Sequence, residues 1–302
     1  MDNIEHLIPI TRQLFERYGQ EPPLPGLKIT YAEAPTGLIR AVYQPSLCVV
    51  LQGAKKSVLG DQTYHYQAGE CLFASADLPV SANILQASPQ QPYIAFSIAI
   101  NPSVVTELWL QQQAQAKGAG ATASTQSAGT SSPALITAKL PPTVLDPLSR
   151  LLQLVGDDVN QPVLGPLTER ELIWRLLSTE LKPALCQLGV ADGYNARINT
   201  VTQYLRNNYQ ATITVAELAA MASMSVASFH RHFKSVTQLS PVQFQKRIRL
   251  HEARRQLVAQ QEIAAISYAV GYDSPSQFSR DYRKHFGLSP LQDRQELLAE
   301  VG

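Results

Sequence analysis

Apolar side chains recur every three or four positions in MDNIEHLIPITRQLFERYG, and this spacing predicts a short amino-terminal helix. Proline and glycine break the pattern between Glu21 and Pro35, and from Ser46 the period shortens. SLCVVLQG reads as a buried strand, TYHYQ alternates between two faces, and CLFASA and YIAFSIAI read as further strands, with turns at Gly60–Asp61 and Ala68–Glu70. Strands at this spacing predict a small antiparallel barrel or sandwich. Gln111 to Ser132 contains no large apolar residue and reads as a linker or insertion with a helical beginning. Beyond it, Leu145, Leu148, Leu152 and Val155 form a helical seam, and Thr168 to Glu171 (TERE) has capping-box spacing before LIWRLL. The seam has two readings: closure of this domain's own core, or an interface between two copies. The break KPALCQLGVADGYN divides the chain into residues 1–190 and 191–302.

From Ala196 the pattern is helical throughout. ARINTVTQYLRNNY predicts one helix, TVAE at Thr214–Glu217 caps a second, Ser225 caps a third, and a long fourth runs from about Pro241 to Ala259. EIAAISYAVGY then predicts a short helix ended by Gly271, and SPSQFSRDYRKHF one that opens with Ser274 and Pro275 and closes at Gly287. The order repeats. Aligning Ser225 with Ser274 pairs Phe229 with Phe278, Arg231 with Arg280 and Lys234 with Arg283, so the segment is a duplicated helix-turn-helix.

Charge sharpens this picture. The whole chain carries a net charge of +1, yet Arg197 to Pro290 holds twelve basic residues against five acidic ones, a local excess of +7. A basic module joined to an acidic remainder fits a phosphate-backbone binder. In such units the second helix lies in the major groove with one face in the core. Phe229 and Phe233 take the inward face of the first, leaving Ala227, Ser228 and Arg231 outward. Phe278 and Tyr282 do the same in the second, leaving Pro275, Ser276, Gln277 and Arg280 outward. Arginine pairs bidentately with guanine and glutamine with adenine, whereas Lys234, Arg283 and Lys284 near the helix ends suit phosphates. The connecting helix, about 30 Å long at 1.5 Å per residue, nearly matches the ~34 Å pitch of B-DNA, so one chain can reach two half-sites.

SMSVASFHRHFKSVTQLSPVQFQKRIRLHEARRQL followed by AVGYDSPSQFSRDYRKHFGLSP resembles the DNA-binding domain of the AraC/XylS family of bacterial regulators, including the closing G-x-S-P at Gly287–Pro290. Gln238 departs from the glycine common there. PSLCVVLQGAKKSVLGDQTYHYQAGECLFASADLPVSANI is similar to the amino-terminal domain of one branch of that family. The resemblance implies an α+β chain with a cupin-like β-barrel and helical extension, then an all-α double helix-turn-helix domain. It also implies an effector-responsive regulator, activator or repressor, with double-stranded DNA, RNA polymerase, a small-molecule effector and a second copy of the chain as partners, and the three widely separated cysteines point to a reducing, cytoplasmic compartment.

Alternating strand residues Tyr64, Tyr66, Phe73 and Phe96 are candidates to line an effector pocket, against the commoner role of core packing. A metal-dependent barrel enzyme is disfavoured, because His65 is the barrel's only histidine, and no catalytic triad or nucleotide-binding fingerprint occurs. No cofactor or metal is expected. The start of the chain does not read as a signal peptide, and no run of about 18 apolar residues suggests a membrane span. Cys48, Cys71 and Cys186 lack zinc spacing and read as buried thiols, with a redox role for Cys48 and Cys71 as the alternative.

Overall fold

The computed structural model describes residues 4–118, 133–189, 194–258 and 262–301. Helix α1 (Leu7–Tyr18) is followed by strands β1 (Leu27–Ala32), β2 (Ile39–Tyr43), β3 (Ser46–Gln52), β4 (Ala54–Leu59), β5 (Gln62–Gln67), β6 (Glu70–Ala74), β7 (Leu78–Gln86) and β8 (Tyr93–Ala99). Helix α2 (Pro102–Gly118) precedes β9 (Leu135–Lys139), and α3 (Leu145–Gln153), α4 (Gln161–Leu176) and α5 (Lys182–Gly189) complete this part. The strands form a five-stranded sheet, β1-β8-β3-β6-β9, facing a four-stranded sheet, β2-β7-β4-β5, with every ladder antiparallel.

The period-two alternation along β3 decides what lies where. Leu47, Val49 and Leu51 point to a core shared with the helices, whereas Cys48 and Val50 point into the space between the sheets. Cys71 is paired with Val49 and shares its face, while Cys48 is paired with Leu72. The two thiols therefore lie on opposite faces of one sheet and do not meet. Burial pushes both thiols up, Cys71 to about 12, so neither favours the reactive thiolate.

The leucine seam of α3 belongs to this protomer. Leu148 and Leu152 are 0% and 1% exposed, in one cluster with Leu145, Val155, and Leu172 and Leu176 of α4. Helix α4 starts seven residues before the TERE motif. Pro162 is tolerated in its first turn, and Thr168 is an interior position whose hydroxyl donates to the Leu164 carbonyl instead of capping. The low-complexity stretch begins as the last part of α2, and residues 119–132 lie outside the described residues. The expected break after Lys182 is helical up to Gly189, and residues 190–193 again fall outside.

Helices α6 (Tyr194–Asn207), α7 (Val215–Met221), α8 (Val226–Thr237), α9 (Pro241–Leu257), α10 (Ile263–Ala269), α11 (Pro275–Phe286) and α12 (Pro290–Val301) follow. Helix α9 serves two cores. Its first half places Phe244 and Ile248 with Phe229, Phe233 and Leu218, and its second half places Leu250, Ala253 and Leu257 with Ile266, Phe278 and Tyr282. Its 17 residues span about 25 Å, somewhat less than the sequence pattern suggested.

Among the described residues, the sandwich touches the helical part through several side chains. Arg206 on α6 pairs with Asp77 at 2.8 Å, and Asn199 donates to the Ser75 carbonyl. Gly60, in the β4–β5 turn, abuts Gln238 so closely that a Cβ would lie 2.7 Å from the Gln238 carbonyl oxygen. Arg40 on β2 reaches the second helix-turn-helix, with its guanidinium 5.0 Å from the centre of the Phe286 ring.

Candidate nucleic-acid interface

Both helix-turn-helix units are held by the side chains their sequence announces. Thr214 and Glu217 form a reciprocal capping box on α7, Ser225 accepts from the Ser228 amide, and Ser240 and Gln243 form a second capping box on α9. Ser274 accepts from the Gln277 amide at the start of α11. The two units use the same aromatic lock. The Phe229 and Phe233 rings are tilted at 5.3 Å and the Phe278 and Tyr282 rings meet edge to face at 5.4 Å, all four fully buried. This fixes the rotation of α8 and α11 about their axes and so decides which residues face out.

Ala227, Arg231 and Lys234 on α8 are exposed, and Ser228 is partly so with its amide taken by the cap. On α11, Ser276, Gln277, Arg280, Arg283 and Lys284 are exposed and Pro275 is partly covered. The ten expected DNA-contacting residues thus fall on the accessible sides of two equivalent helices. Gln238 closes α8 in a left-handed conformation with φ of 58°, and Gly287 closes α11 in the same region at 85°. The departure from glycine therefore keeps the turn, with the Gln238 side-chain amide donating to the Ser235 carbonyl.

The excess positive charge separates into two groups. Lys246 pairs with Asp281, Arg255 with Glu252, and Arg249 donates to the carbonyls of Tyr209, Gln210 and Ala211. Arg254 grips Asp293 through two nitrogens at 2.8 and 3.0 Å, and Asp293 also accepts from the Tyr282 hydroxyl. Asp293 is 2% exposed and anchors α12 to α9 and α11. It lies beyond the repeat, so no sequence spacing pointed to it. In contrast, Arg231, Lys234, Arg280, Arg283 and Lys284 form no ion pair among the described residues. These five cations lie on the outward faces, as a phosphate-binding surface requires.

The residues expected to line an effector pocket separate. Tyr64 and Tyr66 pack in the cluster between the sheets, whereas Phe73 and Phe96 lie on the opposite face of the five-stranded sheet, under the helices. His65 is exposed, pointing away from the sandwich interior. Tyr93, Tyr43 and Lys55 join the inter-sheet group, though no sequence pattern singled them out.

Comparison with known proteins bears on both parts of the chain. The family described as AraC-type transcriptional regulator N-terminus matches residues 23–184, and a helix-turn-helix domain family matches residues 218–296. The chain is similar to the HTH-type transcriptional activator RhaS of Yersinia pestis bv. Antiqua (strain Angola), 30% identical over 113 residues, covering 37% of this chain and 41% of the relative. RhaS of Citrobacter koseri is 28% identical over 145 residues, covering 48% and 51%. The chain thus spans about half the length, or less, of the curated relatives it matches. Among solved structures, ToxT from Vibrio cholerae shares the fold with a TM-score of 0.55 at 10% identity, covering 89% of this chain and 98% of ToxT. A ToxT structure with bound unsaturated fatty acid gives a TM-score of 0.51 at 11% identity, covering 91% and 96%. With more than half of the 302 residues inside the first match and the duplicated helix-turn-helix behind it, this chain belongs to the AraC-type transcriptional regulators.

Proposed function

We propose that this chain is an effector-responsive activator of transcription that binds double-stranded DNA through α8 and α11, each reading one half-site in successive major grooves. The observation that carries this reading is the matched pair of exposed arginines, Arg231 and Arg280, on helices locked in the same rotation by the same aromatic pair. Ala227, Ser228, Pro275, Ser276 and Gln277 would share the base edges, and Lys234, Arg283 and Lys284 would hold phosphates. The division of labour we propose falls near residues 190–193, with effector binding ahead of it and DNA binding after it.

The relatives are transcription regulators, and we read this chain as one without catalytic activity, working in the cytoplasm. No helix among the described residues is long and apolar enough to cross a membrane. RNA polymerase and a second copy of the chain are the protein partners of this reading. Val163, Leu164 and Leu167 on α4 are exposed, offering a face for pairing two copies once the leucine seam is committed to the core. The effector would enter the inter-sheet space, where Tyr64 and Tyr66 lie; a ToxT structure of the same fold holds an unsaturated fatty acid.

The test is the salt dependence of binding to genomic DNA sites recovered from cells. Affinity is expected to fall steeply with salt, and Lys284→Ala to lower the slope of log affinity against log salt by about one unit on every duplex. Salt-independent binding, or binding to no duplex, would overturn the reading.

A further inference from the structure

The middle of the four-stranded sheet presents a cation to the sandwich interior. On β4, Lys55, Ser57 and Leu59 alternate onto the inner face, with Lys55 opposite Tyr66 on β5 and Ile84 on β7. The Lys55 ammonium lies 5.7 Å from the centre of the Tyr43 ring. Burial works against its charge, the Tyr43 hydroxyl and the Cys48 thiol lie beside it, and among the described residues no carboxylate contributes. Lys55 and Cys48 are half-buried.

Hydrogen-bonding groups surround this cation. The hydroxyls of Tyr43, Ser57 and Tyr66 form a chain, 3.2 Å from Tyr43 to Ser57 and 2.8 Å from Ser57 to Tyr66. The Tyr93 hydroxyl, on the facing sheet and 0% exposed, has no hydrogen-bond partner among the described residues. An orphaned hydroxyl and an ammonium without a carboxylate are costly inside a protein unless something completes them. Gly53, at the end of β3, permits close approach to Tyr93, since a Cβ there would sit 3.1 Å from the ring. Gly53 also lines an open cleft of about 390 Å³ at this end of the sandwich, between Pro35 and Gln91.

We infer that the inter-sheet space binds a small organic monoanion, a carboxylate with an apolar body, whose charged head pairs with Lys55 and accepts from the Tyr93 hydroxyl. The inference rests on the effector reading above and gives it a chemical class. The apolar body would lie against Leu59, Val80 and Ile84, which are buried on the same side of the sheet. A neutral isostere leaves the ammonium unpaired and should bind far more weakly.

Hexanoate and cyclohexanecarboxylate, each set against its own carboxamide, are titrated into the full chain by calorimetry, with DNA binding followed in parallel. At least one carboxylate is expected to bind at least about tenfold more tightly than its amide. Lys55→Met should remove that preference while leaving the Tm of the unliganded protein unchanged or higher, because a cation without a carboxylate is lost. Lys56→Met, on the opposite face of β4, should change neither. Should Lys55→Met fail to fold, Tyr93→Phe is the second variant, expected to weaken carboxylate binding several-fold. Equal binding of acid and amide, or full carboxylate binding by Lys55→Met, overturns the anion assignment and leaves an effector site in place. Binding of neither class overturns the inference together with the effector reading, and the parallel DNA titration shows whether the DNA-binding reading survives.

Discussion

Replacing Leu148 with Asp is expected to unfold the amino-terminal domain rather than to release a folded monomer. Leu148 is 0% exposed and sits among Leu145, Leu152, Leu172 and Leu176 in the core under the five-stranded sheet. Truncating such a leucine costs roughly 2–5 kcal/mol, and an isolated carboxylate in the same place costs more. Against a total stability of about 5–15 kcal/mol, this is enough to abolish cooperative unfolding. Val159, in the turn before α4 and 80% exposed, is the control. Val159→Asp should move stability by no more than about 0.5 kcal/mol. Denaturant melts of both variants decide the matter. A stable, folded Leu148→Asp monomer would return the seam to an intermolecular role.

The second large effect is acid lability of the second helix-turn-helix. His251 on α9 and His285 on α11 meet edge to face at 5.4 Å. Burial lowers both, to about 4 and about 3; a backbone hydrogen bond at Arg40 opposes this for His251, while the charges of Arg40, Arg247, Arg254 and Lys246 push downward. The facing carboxylates are already engaged, Asp281 with Lys246 and Asp293 with Arg254. A histidine whose folded pKa is depressed contributes stability above its unfolded value near 6.5 and loses it as pH falls towards the folded value. Between pH 7 and pH 5 the pair should therefore cost about 2–4 kcal/mol, the range allowing for partial exposure. His285→Phe should remove about half of that slope. A stability profile flat from pH 7 to 5, or an unchanged slope in His285→Phe, would contradict this arrangement.

Sequence reading recovered the parts whose signals are local. Caps at Thr214, Ser225 and Ser274, the glycine at 287 and the repeated aromatic pair determine their own neighbourhood, so the helix-turn-helix duplication and its outward residues could be seen without a structure. Strands β3, β5, β6 and β8 carried their own period. What escaped depends on which sheet face meets what. Phe73 and Phe96 look like Tyr64 and Tyr66 in sequence, but β6 and β8 belong to the sheet that the helices cover, so their alternate residues divide between two cores. Strand β1 hides in a segment whose prolines and glycine suggest only loop. Lys55 reads as one of two adjacent lysines until pairing with β5 and β7 turns it inward and Lys56 outward. Similarly, charge counting treats Arg249 and Arg254 like Arg231, although Arg249 holds backbone carbonyls and Arg254 holds a buried carboxylate.

The central claim is that the two equivalent arginines read bases rather than attract phosphates. Its most direct test is a binding titration of Arg231→Ala and Arg280→Ala on a cognate duplex, on duplexes altered in one half-site each, and on a scrambled duplex. Each variant is expected to lose about 1–3 kcal/mol on the cognate site, to become indifferent to changes in its own half-site, and to bind the scrambled duplex nearly as the native chain does. Equal loss on every duplex for both variants would contradict the account and leave the arginines as phosphate clamps.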